Sequence, residues 1–267
     1  MTDSEMTGSE MTDSEMTDSE KIRSAISIDQ LRVSYRGATV LDNVSLSIVP
    51  GEFVSLVGVN GAGKSTLIKS LLDFIDVDSG KLALFGTRHQ TTKSREVLAF
   101  LPERFVVPHY LTGKEYIDYM LSLYGVDRSE TSQKDVESMI TALDLRVSSL
   151  AESVSHYSKG MTQKLGLAAC FLSGKKLLIL DEPMSGLDPK ARVLVKLQLL
   201  ALKAKGTTVF FSSHLLADVA ELADRMIVLN QGQLTFTGTP AECLSLHQTD
   251  NIETAFMHCI NTEDLVV

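Results

Sequence analysis

The nine residues Gly58-Val59-Asn60-Gly61-Ala62-Gly63-Lys64-Ser65-Thr66 constrain this chain more than any other stretch. They match Gly-x-x-x-x-Gly-Lys-[Ser/Thr], whose backbone amides and lysine cradle a polyphosphate. Ahead of them, Phe53-Val54-Ser55-Leu56-Val57 has the length and apolarity of a buried parallel strand. Behind them, Leu67, Ile68, Leu71 and Leu72 recur at helical spacing. The glycines let the backbone curl so that successive N–H groups point inward, and the helix adds its free N–H groups and the positive end of its dipole. Lys64 would reach the β- and γ-phosphates, and the Ser65 hydroxyl would ligate Mg²⁺. The alternative is an accidental glycine-rich turn, with odds on the order of one in a hundred from average composition. The strand–helix context lowers those odds further.

The net charge of −9 misleads, because residues 1–20 hold seven acidic side chains and no basic one. The remainder carries 27 acidic against 25 basic residues, so its near-neutral body suggests no nucleic-acid surface. Residues 1–20 are four near-copies of Met-Thr-Asp-Ser-Glu, too polar to build a core, and 1–22 reads as a disordered acidic tail. Cys170, Cys243 and Cys259 show no metal-ligand spacing, and so few cysteines fit a reducing cytosol. Cys170 lies in an apolar run and reads as a small core residue. No run approaches the roughly 18–20 apolar residues of a membrane span. The acidic N-terminus lacks the apolar core of a signal peptide.

Along the chain, Ile26 to Val33, Ala38 to Leu41 and Val44 to Ile48 read as three short strands, with Tyr35 between the first two. An aromatic there stacks on an adenine ring or simply packs, and spacing alone does not choose. Asp76 to Gly80 reads as a turn, Lys81 to Phe85 as a strand, and Val97 to Leu101 as a buried strand ended by Pro102-Glu103. From Leu111 to about Ser155 the pattern turns to amphipathic helices, with Tyr116, Tyr119, Met120 and Tyr124 at helical spacing, core being favoured over contact surface. Leu177-Leu178-Ile179-Leu180-Asp181-Glu182 describes a central strand delivering two acids at its carboxyl end, where open parallel sheets bind ligands. A helix from Ala191 to Lys205 and a strand Thr207 to Ser212 follow, the latter leading to Ser213-His214. Arg225 to Leu229 and Gln233 to Thr237 are the last strands, and the tail from Ala241 shows short helical patches and no motif.

This ordered set resembles the nucleotide-binding subunit of ABC transporters over about residues 26–240. Tyr35 matches the adenine-stacking aromatic and Gly58 to Thr66 the Walker A loop. Tyr157 to Met161 matches the signature loop, Leu177 to Glu182 the Walker B strand, Ser185 to Asp188 the D-loop and His214 the switch histidine. Two departures stand out. The usual Leu-Ser-Gly-Gly-Gln signature reads Tyr157-Ser158-Lys159-Gly160-Met161, and the Q-loop carries Glu103 in place of Gln. Ser158 can still cap a helix and donate to a phosphate, and Lys159 would add a cation there. Glu103 can still ligate Mg²⁺ as a hard oxygen. Both variants look like those of bacterial ABC-2 exporter ATPases.

The resemblance implies an α/β P-loop NTPase: a RecA-like core with a parallel sheet, an N-terminal antiparallel β subdomain and an inserted helical signature subdomain. The ATPase domain would span 23–240, with the helical part at about 104–165 and a C-terminal extension at 241–267. ATP and Mg²⁺ are the implied cofactors. Nucleotide would be held by Tyr35, Gly58, Asn60, Gly61, Ala62, Gly63, Lys64, Ser65, Thr66 and Glu103. Ser158, Gly160 and Asp188 would also bind it, with ATP sandwiched in a homodimer and Ser158 of one copy facing the P-loop of the other. Ser65, Asp181 and Glu103 would serve the metal, Glu182 would be general base, and Lys64 and His214 would contact the γ-phosphate. The partner would be a separate membrane-embedded permease docked beside residues 103–124, and the place of work the cytoplasmic face of the cell membrane, with export the implied direction. A soluble ABC ATPase acting on ribosomes or nucleic acid is the competing class. One uninterrupted cassette and a near-neutral body argue against it.

Overall fold

A computed structural model describes residues 24–127 and 131–260, and the acidic repeat lies outside them. Two antiparallel strands, β1 (Ile26–Tyr35) and β2 (Ala38–Ile48), open the fold. Arg36 and Gly37 join them, both at positive φ (49° and 85°), as a tight two-residue hairpin requires. The expected break between residues 41 and 44 is not a break. Leu31 pairs with Val44 and Val33 with Leu41, so β2 carries an extra residue there. Asn43 sits at φ 53°, and the polar Asp42-Asn43 pair is absorbed as a bulge within one strand. Strands β4 (Ser79–Leu84) and β5 (Thr87–Arg88) complete an antiparallel sheet in the order β2-β1-β4-β5. β4 thus begins two residues earlier than the sequence suggests, inside the expected turn.

The second sheet is ordered β10-β9-β3-β8-β7-β6. It comprises β3 (Phe53–Val57), β6 (Leu98–Leu101), β7 (Leu177–Leu180), β8 (Thr208–Ser212), β9 (Arg225–Asn230) and β10 (Gln233–Gly238). The first five run parallel and β10 pairs antiparallel to β9, so the sheet is mixed at one edge. Side chains alternate between two cores. From β3, Val54 and Leu56 face the antiparallel sheet, whereas Phe53 and Val57 face the opposite layer. Leu177 and Ile179 of β7 divide from Leu178 and Leu180 in the same way. Burial on both faces explains the unbroken aliphatic runs, each such side chain contributing about 1.5–3 kcal/mol.

Helix α1 (Lys64–Leu71) follows β3 and buries Leu67, Ile68 and Leu71 in the first core. The short α2 (Thr92–Arg95) precedes β6. Helices α3 (Gly113–Leu123) and α4 (Gln133–Ala142) each start on a capping box, Thr112 with Glu115 and Ser132 with Asp135, and both pack on α5 (Lys159–Leu172). Of the aromatic stripe, Tyr116 is buried and Tyr124 packs against the core, but Tyr119 is 56% exposed, which corrects the core reading for that ring. Helix α6 (Pro189–Ala204) covers the sheet, and α7 (Leu216–Leu222) follows β8. The C-terminal patches are two helices, α8 (Pro240–Leu246) and α9 (Ile252–Cys259), which pack on one another and, through α9, on α7. Among the described residues, no helix is long and apolar enough to cross a membrane.

Candidate functional site

Because β3, β6, β7 and β8 are parallel, the segments leaving their carboxyl ends meet at one edge of the sheet. β3 delivers the glycine loop, β6 Glu103, β7 Asp181 and Glu182, and β8 His214. A cavity of about 680 Å³ opens between them. Tyr35, Asn60, Gly61, Gly63, Lys64, Ser65, Thr66, Glu103, Asp181, Glu182 and His214 line it, joined by Val40 and Ser185.

The loop's glycines have separate reasons. Gly61 and Gly63 stand at φ 85° and 110°, where side chains are strained. Gly58 has no such φ, but a Cβ there would lie 2.4 Å from the Leu229 carbonyl oxygen, so the close approach of β9 requires glycine. Gly58 and Ala62, also expected to hold the nucleotide, do not line the cavity and are both buried. Lys64 Nζ donates to the carbonyls of Gly58 (2.7 Å) and Val59 (3.2 Å), which braces the loop from within. The first N–H groups of α1 have no acceptor in their own helix, so they and the dipole make an anion seat.

Opposite stands a carboxylate group. Asp181 is 8% exposed, and Ser212 Oγ donates to its Oδ1 at 2.6 Å. The same Ser212 oxygen accepts from the Glu182 N–H at 2.8 Å, so one hydroxyl fixes both acids. Burial pushes the Asp181 carboxyl above the usual range, opposed by the Ser212 hydrogen bond and reinforced by Glu103, while Lys64 and Lys69 act the other way. A buried carboxylate in hard-oxygen company, with Ser65 and Glu103 around the same cavity, fits a Mg²⁺ ion better than a soft metal. Glu182 is held at φ 52°, an uncommon backbone conformation for this residue type. Its Oε2 meets His214 Nδ1 at 2.7 Å, which spans the cavity's rim. Tyr35 ends β1 with its ring 44% exposed at that rim.

Ser158, Gly160 and Asp188 do not line this cavity. Ser158 caps α5, its Oγ accepting from Met161 N–H at 3.2 Å, and Asp188 caps α6, accepting from Ala191 N–H at 2.9 Å. The two caps are bound together. A Cβ on Gly160 would lie 3.2 Å from the Gly186 carbonyl, and the Lys159 stem runs over Gly186. The Lys159 side chain is therefore packed along the D-loop. Gln163 Nε2 donates to the Pro183 carbonyl at 3.1 Å, tying α5 to the segment after Glu182. Ser212 and Gln163 were missed in the sequence, since a serine ending a strand and a glutamine inside a helix carry no spacing signal. A smaller cavity of about 340 Å³, lined by Glu103, Lys159, Gln163 and Ser185 among others, adjoins the first.

Comparison with known proteins gives these features a context. The family model described as ABC transporter matches residues 41–185. An ABC transporter ATP-binding protein of Synechocystis is 37% identical over 76% of this chain, and the match takes in 58% of that relative's own length. Nod factor export ATP-binding protein I of Paraburkholderia xenovorans is 30% identical over 83% of this chain and 73% of the relative. A solved structure of an ATP-binding subunit of an ABC transporter superposes with a TM-score of 0.83 at 28% identity, over 89% of this chain and all of that one.

Proposed function

The chain belongs to the family of ABC transporter ATP-binding proteins, and from that premise we propose that it binds and hydrolyses ATP to power a membrane transporter. One observation carries the reading: a single cavity gathers Lys64, Ser65, Asp181, Glu182 and His214 from three separate strand ends. Phosphoryl transfer asks for positioning and charge neutralisation more than covalent chemistry. The loop amides and Lys64 hold the β- and γ-phosphates, for which Lys64 must leave its loop carbonyls. Ser65, Asp181 and Glu103 would hold Mg²⁺, which when bound would neutralise charge developing on the phosphate oxygens. Glu182 takes the proton of the attacking water as its oxygen bonds to the γ-phosphorus, the bond from that phosphorus to the bridging oxygen breaks, and ADP and phosphate leave. His214, in contact with Glu182, contacts the γ-phosphate and senses its loss.

The nucleotide is sandwiched between two copies of the chain, a reading supported by the family resemblance and compatible with Ser158 and Gly160 lying outside this cavity. The transporter's membrane part is a separate permease. Its docking site is the segment from Glu103 to Tyr124, which exposes Val106 (76%), Tyr110 (83%) and Tyr119. The work is done at the cytoplasmic face of the cell membrane. Export is the direction favoured by the variant signature and Q-loop, and the Paraburkholderia relative bears an exporter's name.

Isothermal titration of Lys64→Ala with ATP tests the site. Loss of measurable binding is expected, and wild-type affinity would remove the phosphate assignment.

A further inference from the structure

The cysteines show no metal-ligand spacing in the sequence, but the α8–α9 pair brings two of them together with a histidine. Cys243 and His247 stand one turn apart on α8 and its C-terminal cap, and Cys259 ends α9. The ligand atoms of these three residues all lie within 4.8 Å of one another. Cys243 Sγ is 3.6 Å from Cys259 Sγ, and His247 Nε2 is 3.2 Å from Cys259 Sγ. Zinc bonds of about 2.3 Å to sulfur and about 2.05 Å to nitrogen, at tetrahedral angles, set edges of about 3.8 Å for S···S and about 3.5 Å for S···N. The two separations that meet at Cys259 fall within a few tenths of an ångström of those edges, and the third, between Cys243 and His247, is within 4.8 Å. Two thiols and an imidazole are also a soft donor set, unlike the oxygens of the nucleotide cavity.

We infer that Cys243, His247 and Cys259 form a Zn²⁺ site. Two S–H bonds break, two Zn–S bonds form, two protons pass to solvent, and neutral His247 ligates through Nε2. The fourth position is left to water beside the partly exposed His247. The His258 ring stacks on His247 with centroids 5.4 Å apart and planes 19° apart, which steadies the imidazole. Cys243 and Cys259 belong to different helices, so the ion staples α8 to α9. Asn230 Nδ2 donates to the Ile260 carbonyl at 3.0 Å and ties the same corner to β9, while α9 packs on α7, the helix that follows His214.

The test is a Zn²⁺ titration of the reduced full chain against a chromophoric chelator, without nucleotide and with excess Mg²⁺ to fill hard-oxygen sites. One equivalent taken up per chain is expected, with proton release and a raised Tm. Co²⁺ in its place should give thiolate-to-metal charge-transfer absorption. His247→Gln and Cys259→Ser should lose the equivalent, whereas Cys170→Ser, whose thiol is buried beside Tyr124, should keep it. His247 is partly exposed, so its variant should fold, which circular dichroism checks. Uptake well below one equivalent, full uptake by His247→Gln, or a Co²⁺ complex lacking thiolate bands would overturn the site. So would air oxidation of Cys243 and Cys259 to a disulfide at the same rate with and without Zn²⁺.

Discussion

The two halves of the proposed nucleotide site are built by different means. The Walker half is made of strand ends. Asp181, Glu182 and His214 leave adjacent parallel strands buried on both faces, and Ser212 locks the two acids together. The signature half is made of helix starts. Ser158 and Asp188 cap α5 and α6, and those caps touch through Gly160 and Gly186. Strand ends in a close-packed sheet hold reacting groups to a fixed geometry. Helix starts present N–H groups and a dipole that an anion can meet from outside. On the proposed function, the difference teaches a division of labour: the chemistry would sit on the rigid half, and the half that would meet another copy sits on capped helix starts.

Substitutions that respect one half and damage the other sharpen this contrast. The largest effect should come from Ser158→Asp. Aspartate caps as well as serine, so Tm should hardly move, but its charge faces the incoming phosphates. Turnover should fall by about 10²-fold, the worth of one anion-stabilising donor, with ATP binding by the single chain retained. Steady-state phosphate release alongside a binding titration checks both, and loss of first-site binding would place Ser158 in the wrong half. Next is Gly58→Ala, whose Cβ would strike the Leu229 carbonyl. We expect a loss of about 1–3 kcal/mol in chemical denaturation. An unchanged midpoint would mean the loop has room that the close approach denies.

Ser212→Ala should be milder. It frees both acids and should cost about tenfold in turnover, near the value of one hydrogen bond to a charged group, with Thr restoring part of it. The smallest effect concerns pH. The fold raises the Asp181 pKa through burial, so the native state holds this proton more tightly than the unfolded chain. Stability is therefore lost as pH rises from about 4, the ordinary carboxylate value, through the raised native value. Asp181→Asn removes that loss. The metal-free variant should be more stable than wild type at neutral pH, with the difference vanishing below about pH 4, the ordinary carboxylate value. A variant less stable at neutral pH would contradict the raised proton affinity.

Much of this was legible because it depends on backbone needs or uninterrupted patterns. The glycine loop, the aliphatic run into Asp181-Glu182 and the helix after Lys64 each obey a local rule. What escaped depends on neighbours distant in sequence. The Asp42-Asn43 bulge follows from pairing with β1, which a polar pair alone does not announce. Ser212 matters because β7 and β8 are adjacent, and Tyr119 faces outward because the packing of α3 on α5 selects its other faces. Cys243 and Cys259 lie sixteen residues apart, and only folding α8 against α9 brings their sulfurs together.

The measurement that bears most directly on the account is the comparison of Glu182→Gln with wild type for ATP affinity, turnover and oligomeric state in Mg²⁺·ATP. The account predicts unchanged affinity, turnover lower by about 10²–10⁴-fold, and a dimer that persists in analytical ultracentrifugation where the wild type returns to monomer as ATP is consumed. Wild-type turnover in the variant, or a variant that stays monomeric with ATP bound, would contradict it.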